Sequence, residues 1–143
     1  MNLLKKKRSV ALIIWWCEGT KIRKEKRWKN SYIKAVEVTN CNPEIIKVFV
    51  NFLIEQVDVP ISKIKAQVQI HEGDDINQGE GFWESETGIP RQQFNKTIVR
   101  KVGNKPGKNM GTFKVRVYGS GIFDKLSLML KKELKGIITL DGV

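Results

Sequence analysis

Cysteine and histidine are scarce in this chain, which has two cysteines and one histidine in 143 residues. Cys17 and Cys41 lie too far apart to form the close pair that a zinc site uses, and His71 alone cannot complete a Cys/His site. We therefore expect two reduced, structural cysteines and no zinc site.

Long apolar segments are absent as well. The run from Val10 to Cys17 has eight residues, whereas a membrane-spanning helix needs roughly 18 or more. This run ends at Glu18 without the small-residue pattern of a signal-peptide cleavage site. We therefore expect a soluble intracellular protein, in the cytoplasm or in an organelle, without a membrane partner.

Acidic residues are few relative to basic ones, with 15 Asp and Glu against 26 Lys and Arg and a formal net charge of +11. An excess of this size is typical of proteins that bind polyanions, and it favours nucleic acid over a membrane. Several of the acids share one window without a basic residue: Glu72, Asp74, Asp75, Glu80, Glu84 and Glu86. The remaining surface is therefore even more basic, which predicts a nucleic-acid partner.

The order of the periodic segments predicts an α+β fold. A chain of this length fits one domain, residues 1–143, with a core from about 9 to 135. We expect helices at 9–18, 43–56, 82–87 (one short turn) and 121–135, strands at 20–29, 31–39, 63–71, 97–102 and 112–118, and loops at 73–81 and 103–109.

Two of these strands alternate strictly between apolar and polar residues. From 63 to 71 the apolar positions are Ile64, Ala66, Val68 and Ile70, and from 112 to 118 they are Phe113, Val115 and Val117. Successive side chains of a strand point to opposite faces, so each strand should place its apolar side against helices. The opposite faces carry long hydrogen-bond donors, and we expect them to be almost free of acid.

The segment from Ala11 to Gly19 resembles the nine-residue motif of the LAGLIDADG endonucleases, with Glu18 at its essential carboxylate and Gly19 at its last glycine. Residues 36–46 (VEVTNCNPEII) are similar to the strand, Thr-Asn, Ser-Asp-Pro and helix segment of the single-motif members. Phe82-Trp83, residues 87–90 (TGIP) and residues 113–117 (FKVRV) resemble later landmarks, so the resemblance covers about residues 9–134 in order. It implies an αββαββα unit in which a mixed or antiparallel, saddle-shaped sheet packs on helices.

The resemblance also implies a metal-dependent nuclease. Its members use the terminal carboxylates of two paired helices to hold Mg²⁺ or another divalent cation, which assigns Glu18 and the main-chain carbonyl of Cys17 as ligands. A carboxylate at the negative end of a helix dipole gains from such a cation. Lys101 is the candidate catalytic lysine. One motif per chain implies a homodimer, with Ala11, Ile14 and Trp15 as interface residues.

The implied substrate is double-stranded DNA rather than a small molecule, because the sheet of this family straddles the major groove. Arginine is expected to contact guanine and glutamine to contact adenine, while lysines mostly hold phosphates. The predicted DNA contacts are Lys21, Arg23, Lys26, Arg27, Lys63, Lys65, Gln67, Gln69, His71, Arg100, Lys114 and Arg116.

Three functions are compatible with these features. The leading hypothesis is a site-specific double-stranded DNA endonuclease of the homing type, which the retained Glu18 favours. A non-catalytic, LAGLIDADG-derived DNA binder with a regulatory role is favoured by the bulky pair Trp15 and Trp16, and an RNA-binding or maturase-like protein would use the same electrostatics. The plain alternatives are that Glu18 is an ordinary exposed helix-end acid and that the polar strand faces are solvated.

Overall fold

The structure is a computed structural model that describes residues 2–20, 23–24, 32–101 and 110–139. Its helices are α1 (Leu3–Glu18), α2 (Pro43–Glu55), α3 (Ile76–Thr87) and α4 (Ser120–Ile138). Its strands are β1 (Gly19–Thr20), β2 (Arg23–Lys24), β3 (Tyr32–Ile33), β4 (Ala35–Asn40), β5 (Lys65–His71), β6 (Ile98–Arg100) and β7 (Thr112–Tyr118). Short 3-10 turns lie at Ile61–Lys63 and Arg91–Gln93. This arrangement confirms the predicted α+β class.

Five of the strands form one mixed sheet in the order β1-β4-β7-β5-β6. Strand β7 is central and pairs antiparallel with both β4 and β5, whereas β6 pairs parallel with β5. Strands β2 and β3 form a separate antiparallel ribbon. The two outer strands of the main sheet, β1 and β6, therefore lie at opposite edges.

The helices pack against the apolar face of this sheet. The central strand contributes Phe113 to the core, and its ring stacks on Trp83 of α3 with centroids 4.8 Å apart. Trp15 of α1 meets Phe123 of α4 edge to face at 5.5 Å. Because side chains alternate along a strand, the sheet residues between these apolar positions point away from the helices.

Helix α1 begins earlier than its periodicity predicts, at Leu3 instead of Ser9. The side chain of Asn2 accepts a hydrogen bond from the Lys5 backbone N–H at 2.8 Å, which provides an N-cap, and lysine and arginine are good helix formers. The predicted end at Glu18 is confirmed. Gly19 is extended and begins β1, and a Cβ there would lie 2.3 Å from the Trp15 carbonyl oxygen, so only glycine fits.

Helix α3 is longer than predicted, and the loop expected at 73–81 is wrong from Ile76 onward. The helix starts at Ile76, where the Asp75 side chain accepts a hydrogen bond from the Gln78 backbone N–H at 2.9 Å. Gly79 and Gly81 lower the intrinsic helix propensity of this segment. Packing of the buried Gly79 beside Ile70 of β5 overrides that cost.

The predicted strand at 20–29 is present only as the short pieces β1 and β2 within the described residues. The strand expected from residue 63 begins at Lys65, because residues 61–63 form a 3-10 turn. The loop expected at 103–109 lies outside the described residues.

Candidate nucleic-acid interface

One face of the main sheet carries polar and charged side chains and turns away from the helices. We call it the polar face, and it brings together seven of the predicted DNA-contact residues. Its members are Glu37, Thr39, Lys65, Gln67, Gln69, His71, Arg100, Lys114, Arg116 and Tyr118. The sequence places them there because each strand alternates with a period of two.

Strand pairing arranges these residues in rows across the sheet. Glu37 of β4, Arg116 of β7 and Lys65 of β5 are direct neighbours in one row. The next row contains Thr39, Lys114 and Gln67. Neighbours in a row have Cβ atoms roughly 5 Å apart, so their side chains can interact directly.

A buried carboxylate lies at the centre of the polar face. The Glu37 side chain is only 7% exposed, and its Oε2 accepts a hydrogen bond from Nε of Arg116 at 2.7 Å and forms an ion pair with Nη2, also at 2.7 Å. Its Oε1 lies 3.5 Å from the Lys114 ammonium. Arg116 also donates from Nη1 to the Tyr118 hydroxyl at 2.8 Å. We call these four residues the Glu37 cluster.

The Glu37 cluster affects the ionisation of Arg116. Burial by itself lowers the pKa of the Arg116 guanidinium, but the hydrogen bond to Tyr118 and the charge of Glu37 outweigh burial and raise the pKa. A base whose pKa is raised on folding stabilises the fold below its unfolded pKa and loses that contribution only as the pH rises through the raised value. Arg116 is therefore charged throughout the neutral range and adds no pH dependence there.

The polar positions of β5 and β7 carry no acid, as expected for these two strands. The carboxylate of the polar face comes from the neighbouring strand β4, whose polar positions were not part of that expectation. The alternation of Ala35-Val36-Glu37-Val38-Thr39 is a local signal that Glu37 points opposite to Val36 and Val38. Its position beside Arg116 depends on the pairing of β4 with β7, which no local pattern encodes.

Other polar-face residues are held in different ways. Lys65 and Arg100 are exposed. The Gln67 amide nitrogen donates to the Lys96 carbonyl at 2.8 Å, which fixes its orientation. The buried Nδ1 of His71 has no hydrogen-bond partner among the described residues, and the His71 backbone N–H donates to an Asp74 carboxylate oxygen at 3.0 Å.

Five predicted DNA contacts are not placed on the polar face. Lys63 lies on the 3-10 turn before β5 and is exposed. Arg23 belongs to β2 by its backbone, and its side chain is outside the described part of the chain. Lys21, Lys26 and Arg27 also lie outside the described residues.

Glu18, the predicted metal ligand, is the last residue of α1 and is exposed, as is Cys17. Strand β1 follows at once and pairs with β4 so that Thr20 lies opposite Glu37. The carboxyl end of α1 therefore meets the edge of the sheet two residues away from the row that contains Glu37.

One chain does not form a complete divalent-cation site in its described part, where no group of three or more His, Cys, Asp or Glu side chains is found. Glu18 fits Mg²⁺ only as one ligand among several, so a second copy of the chain would have to supply others. Lys101 follows β6 at the opposite edge of the sheet from β1. Four strand spacings amount to about 19 Å, so the structure does not bring Lys101 to Glu18 within one chain.

The predicted dimer interface is wrong for two of its three residues. Ala11 and Trp15 are 0% and 1% exposed and pack in the chain's own core, and Ile14 is partly buried against it. Besides Leu3 and Leu4 in its first turn, α1 exposes the apolar side chains of Val10 (50%), Ile13 (39%) and Trp16 (51%). We call these three residues the outer stripe. A helix that is apolar on nearly every side does not reveal which side faces its own core.

Comparison of the chain with protein-family models, with curated protein sequences and with solved structures gives no significant match. The LAGLIDADG resemblance therefore depends on the motif residues themselves. A search of the described helices for one long and apolar enough to cross a membrane finds none.

Proposed function

We propose that this protein binds duplex DNA through the polar face of its sheet. The observation that carries the proposal is the charge of that face, where four cationic side chains accompany one carboxylate. The cations are Lys65, Arg100, Lys114 and Arg116, and the carboxylate is Glu37. Contacts between such cations and phosphates release counterions, which is the main source of sequence-independent affinity for DNA.

The dimensions of the sheet favour duplex DNA over duplex RNA. Its three central strands β4, β7 and β5 span about 10 Å, at about 4.8 Å per spacing. The major groove of B-DNA is about 12 Å wide and admits strands, whereas the major groove of A-form RNA is deep and narrow. We therefore infer that the central strands enter the major groove and that the outer cations lie near phosphates.

The test compares two charge-matched double variants by fluorescence anisotropy with a duplex of mixed sequence. The variant Lys65→Gln with Arg100→Gln removes two exposed charges from the polar face. The control, Lys131→Gln with Lys132→Gln, removes two exposed charges from α4, on the helix side. Each lost phosphate contact should reduce the slope of log affinity against log salt by about one.

We expect the polar-face variant to weaken binding and to flatten the salt dependence by about two units between about 50 and 200 mM salt, while the control stays close to the parent. Equal effects of the two variants would exclude the polar face as the binding surface. A parent protein whose affinity does not change with salt would exclude nucleic acid altogether. Tighter binding of a matched RNA than of the DNA duplex would favour the RNA-binding alternative.

A second candidate function is DNA cleavage by a homodimer of the LAGLIDADG type. The observation that favours it is the position of the exposed Glu18 at the sheet edge, with the outer stripe on the same helix. Packing of two outer stripes would bring the carboxyl ends of two α1 helices, each ending in Glu18, to one interface. Mg²⁺ held by such a pair would stabilise charge at a scissile phosphate.

The cleavage test uses a matched pair of acids, because Glu18 and Glu55 are each exposed and each end a helix. Duplexes with a randomised segment are incubated with Mg²⁺ and the parent, Glu18→Gln or Glu55→Gln protein. We expect cleavage by the parent and by Glu55→Gln, with at least about 100-fold less by Glu18→Gln. Cleavage that survives Glu18→Gln would remove Glu18 from the mechanism. Binding without cleavage by the parent would leave a non-catalytic DNA binder.

A further inference from the structure

The Glu37 cluster occupies the central strand pair of the polar face. We propose that Glu37 is a positioning residue, which with Tyr118 holds Arg116 in one conformation so that Arg116 reads a guanine in the major groove. This inference rests on the proposed binding of duplex DNA and deepens it, because it assigns sequence discrimination to one named row of the sheet.

Some N–H groups of Arg116 are not used by its contacts within the chain. A guanidinium carries five N–H groups, one on Nε and two on each terminal nitrogen. Glu37 accepts one from Nε, and Tyr118 accepts one from Nη1. Nη2 lies 2.7 Å from the same Glu37 oxygen as an ion pair. When that contact is counted against one N–H of Nη2, one N–H group on each terminal nitrogen remains without an acceptor among the described residues. Guanine presents two acceptors in the major groove, O6 and N7, which match two donors of one arginine.

Fixation of the side chain is what distinguishes Arg116 from the exposed cations Lys65 and Arg100. A free arginine or lysine loses rotamer entropy when it is immobilised at an interface, and this loss opposes binding. Arg116 is already held by Glu37 and Tyr118, and its side chain is only 17% exposed. Lys65 lies in the same row but is exposed, so it suits a phosphate whose position varies from site to site.

The fold alone does not account for a carboxylate at position 37. The Glu37 side chain points away from the apolar core, and a charge pair of low exposure carries a desolvation cost that an apolar pair on the same strands avoids. Its neighbours in the strand, Val36 and Val38, already anchor β4 in the core. A role in orienting the N–H donors of Arg116 therefore explains a carboxylate at this position better than a role in stabilising the sheet.

The experiment is a binding selection from duplexes with a randomised central segment. It is carried out in parallel with the parent, Arg116→Lys, Glu37→Gln, Tyr118→Phe and, as a control, Lys131→Gln. Circular dichroism and thermal melts verify that each variant is folded. Tyr118→Phe removes a single hydrogen bond from a side chain that is 54% exposed, so it tests the proposal even if Glu37→Gln does not fold.

We expect the parent to prefer guanine at one position of its enriched sites, or at two symmetric positions for a dimer, by roughly 5- to 150-fold. Arg116→Lys and Glu37→Gln should lose that preference at the same positions and keep the others. Tyr118→Phe should reduce it partly, and Lys131→Gln should leave it unchanged.

Each other outcome overturns a specific statement. An unchanged guanine preference in the three cluster variants, or an equal loss of affinity for all sequences, would overturn the role of Glu37 and Arg116 while DNA binding stands. Salt-dependent binding by the parent without any sequence preference would also overturn the role of Glu37 and Arg116 and leave DNA binding in place. Failure of the parent to bind duplex DNA would overturn both the proposed function and this inference.

Discussion

The polar face of the sheet and the outer side of α1 both turn away from the core, but they differ in chemistry. The polar face carries charged side chains that bind each other, whereas the outer side of α1 carries exposed apolar side chains. On the polar face, Glu37 binds Arg116 through two nitrogens at 2.7 Å. On α1, the outer stripe of Val10, Ile13 and Trp16 exposes apolar side chains. A charged surface with fixed donors suits a charged, patterned partner such as DNA. An apolar stripe suits burial against another apolar surface, which in the proposed homodimer would be a second copy of the chain.

The largest expected effect comes from separating the central strands that build the polar face. Gly111 precedes β7 with φ +73°, and a Cβ there would lie 2.1 Å from the Gln69 carbonyl oxygen of β5. Gly111→Ala should therefore lower the free energy of unfolding by about 3 kcal/mol, from backbone strain and the clash. Urea unfolding measures this change.

The matched control for Gly111→Ala is Gly136→Ala. Gly136 lies in α4 and its added Cβ would meet no atom within 4 Å, so this change should stabilise the protein by about 0.5–1 kcal/mol through helix propensity. Equal effects at both glycines would show that the β5–β7 contact at Gly111 does not restrict the residue there.

A second prediction addresses the outer stripe. The double variant Ile13→Ser with Trp16→Ser should raise the dissociation constant of a homodimer by about 100-fold, because four apolar side chains lose their burial across the two copies. Sedimentation at several protein concentrations measures it. The control exchanges two exposed apolar residues of α4, Leu128→Ser and Ile138→Ser.

The exposed Cys17 offers a direct check of the same arrangement. In a Cys41→Ser background, mild oxidation should link two copies through Cys17 if their α1 helices pair closely near their carboxyl ends, since a disulfide requires Cα atoms within about 7 Å. A parent that sediments as a monomer with and without DNA, and that does not form this link, would remove the second copy from the outer stripe.

A third prediction concerns the stability that the Glu37 cluster provides. Glu37→Leu leaves Arg116 and Lys114 close together without their carboxylate, so we expect a loss of about 2 kcal/mol in the free energy of unfolding. The double variant Glu37→Leu with Arg116→Leu should recover most of that loss, because an apolar pair replaces the charge pair. Asp124→Asn, which breaks the exposed pair with Lys34 at 3.2 Å, should cost less than about 1 kcal/mol. If the double variant loses as much free energy of unfolding as the two single changes together, Glu37 and Arg116 are not coupled.

Local sequence patterns predicted the faces of two strands and the start of one helix. The alternation in β5 and β7 identified both the apolar and the polar side of the sheet, because a strand with one buried face repeats every two residues. Asn42 and Pro43 correctly predicted the start of α2, because their side chains act within one helical turn. These signals are local.

The features that were missed depend on contacts between distant segments. Glu37 and Arg116 are 79 residues apart, and only the register of β4 with β7 joins them. The side of α1 that faces the core could not be distinguished, since Ala11 and Trp15 are no more apolar than Ile13 and Trp16. Residue type predicted an interface on α1, but only tertiary packing identified its exposed side.

The smallest expected effect comes from His71 on the polar face, whose side chain is partly buried. Its Nδ1 is buried and has no hydrogen-bond partner among the described residues, and an unsatisfied buried nitrogen opposes folding. His71→Leu should therefore leave the free energy of unfolding unchanged or raise it by up to about 1 kcal/mol. It should weaken DNA binding less than loss of Lys65 and Arg100, because His71→Leu removes no lysine or arginine charge from the polar face. Urea unfolding measures the free energy of unfolding, and anisotropy measures the DNA affinity. A destabilisation above about 1 kcal/mol would show that the His71 side chain makes contacts that stabilise the fold.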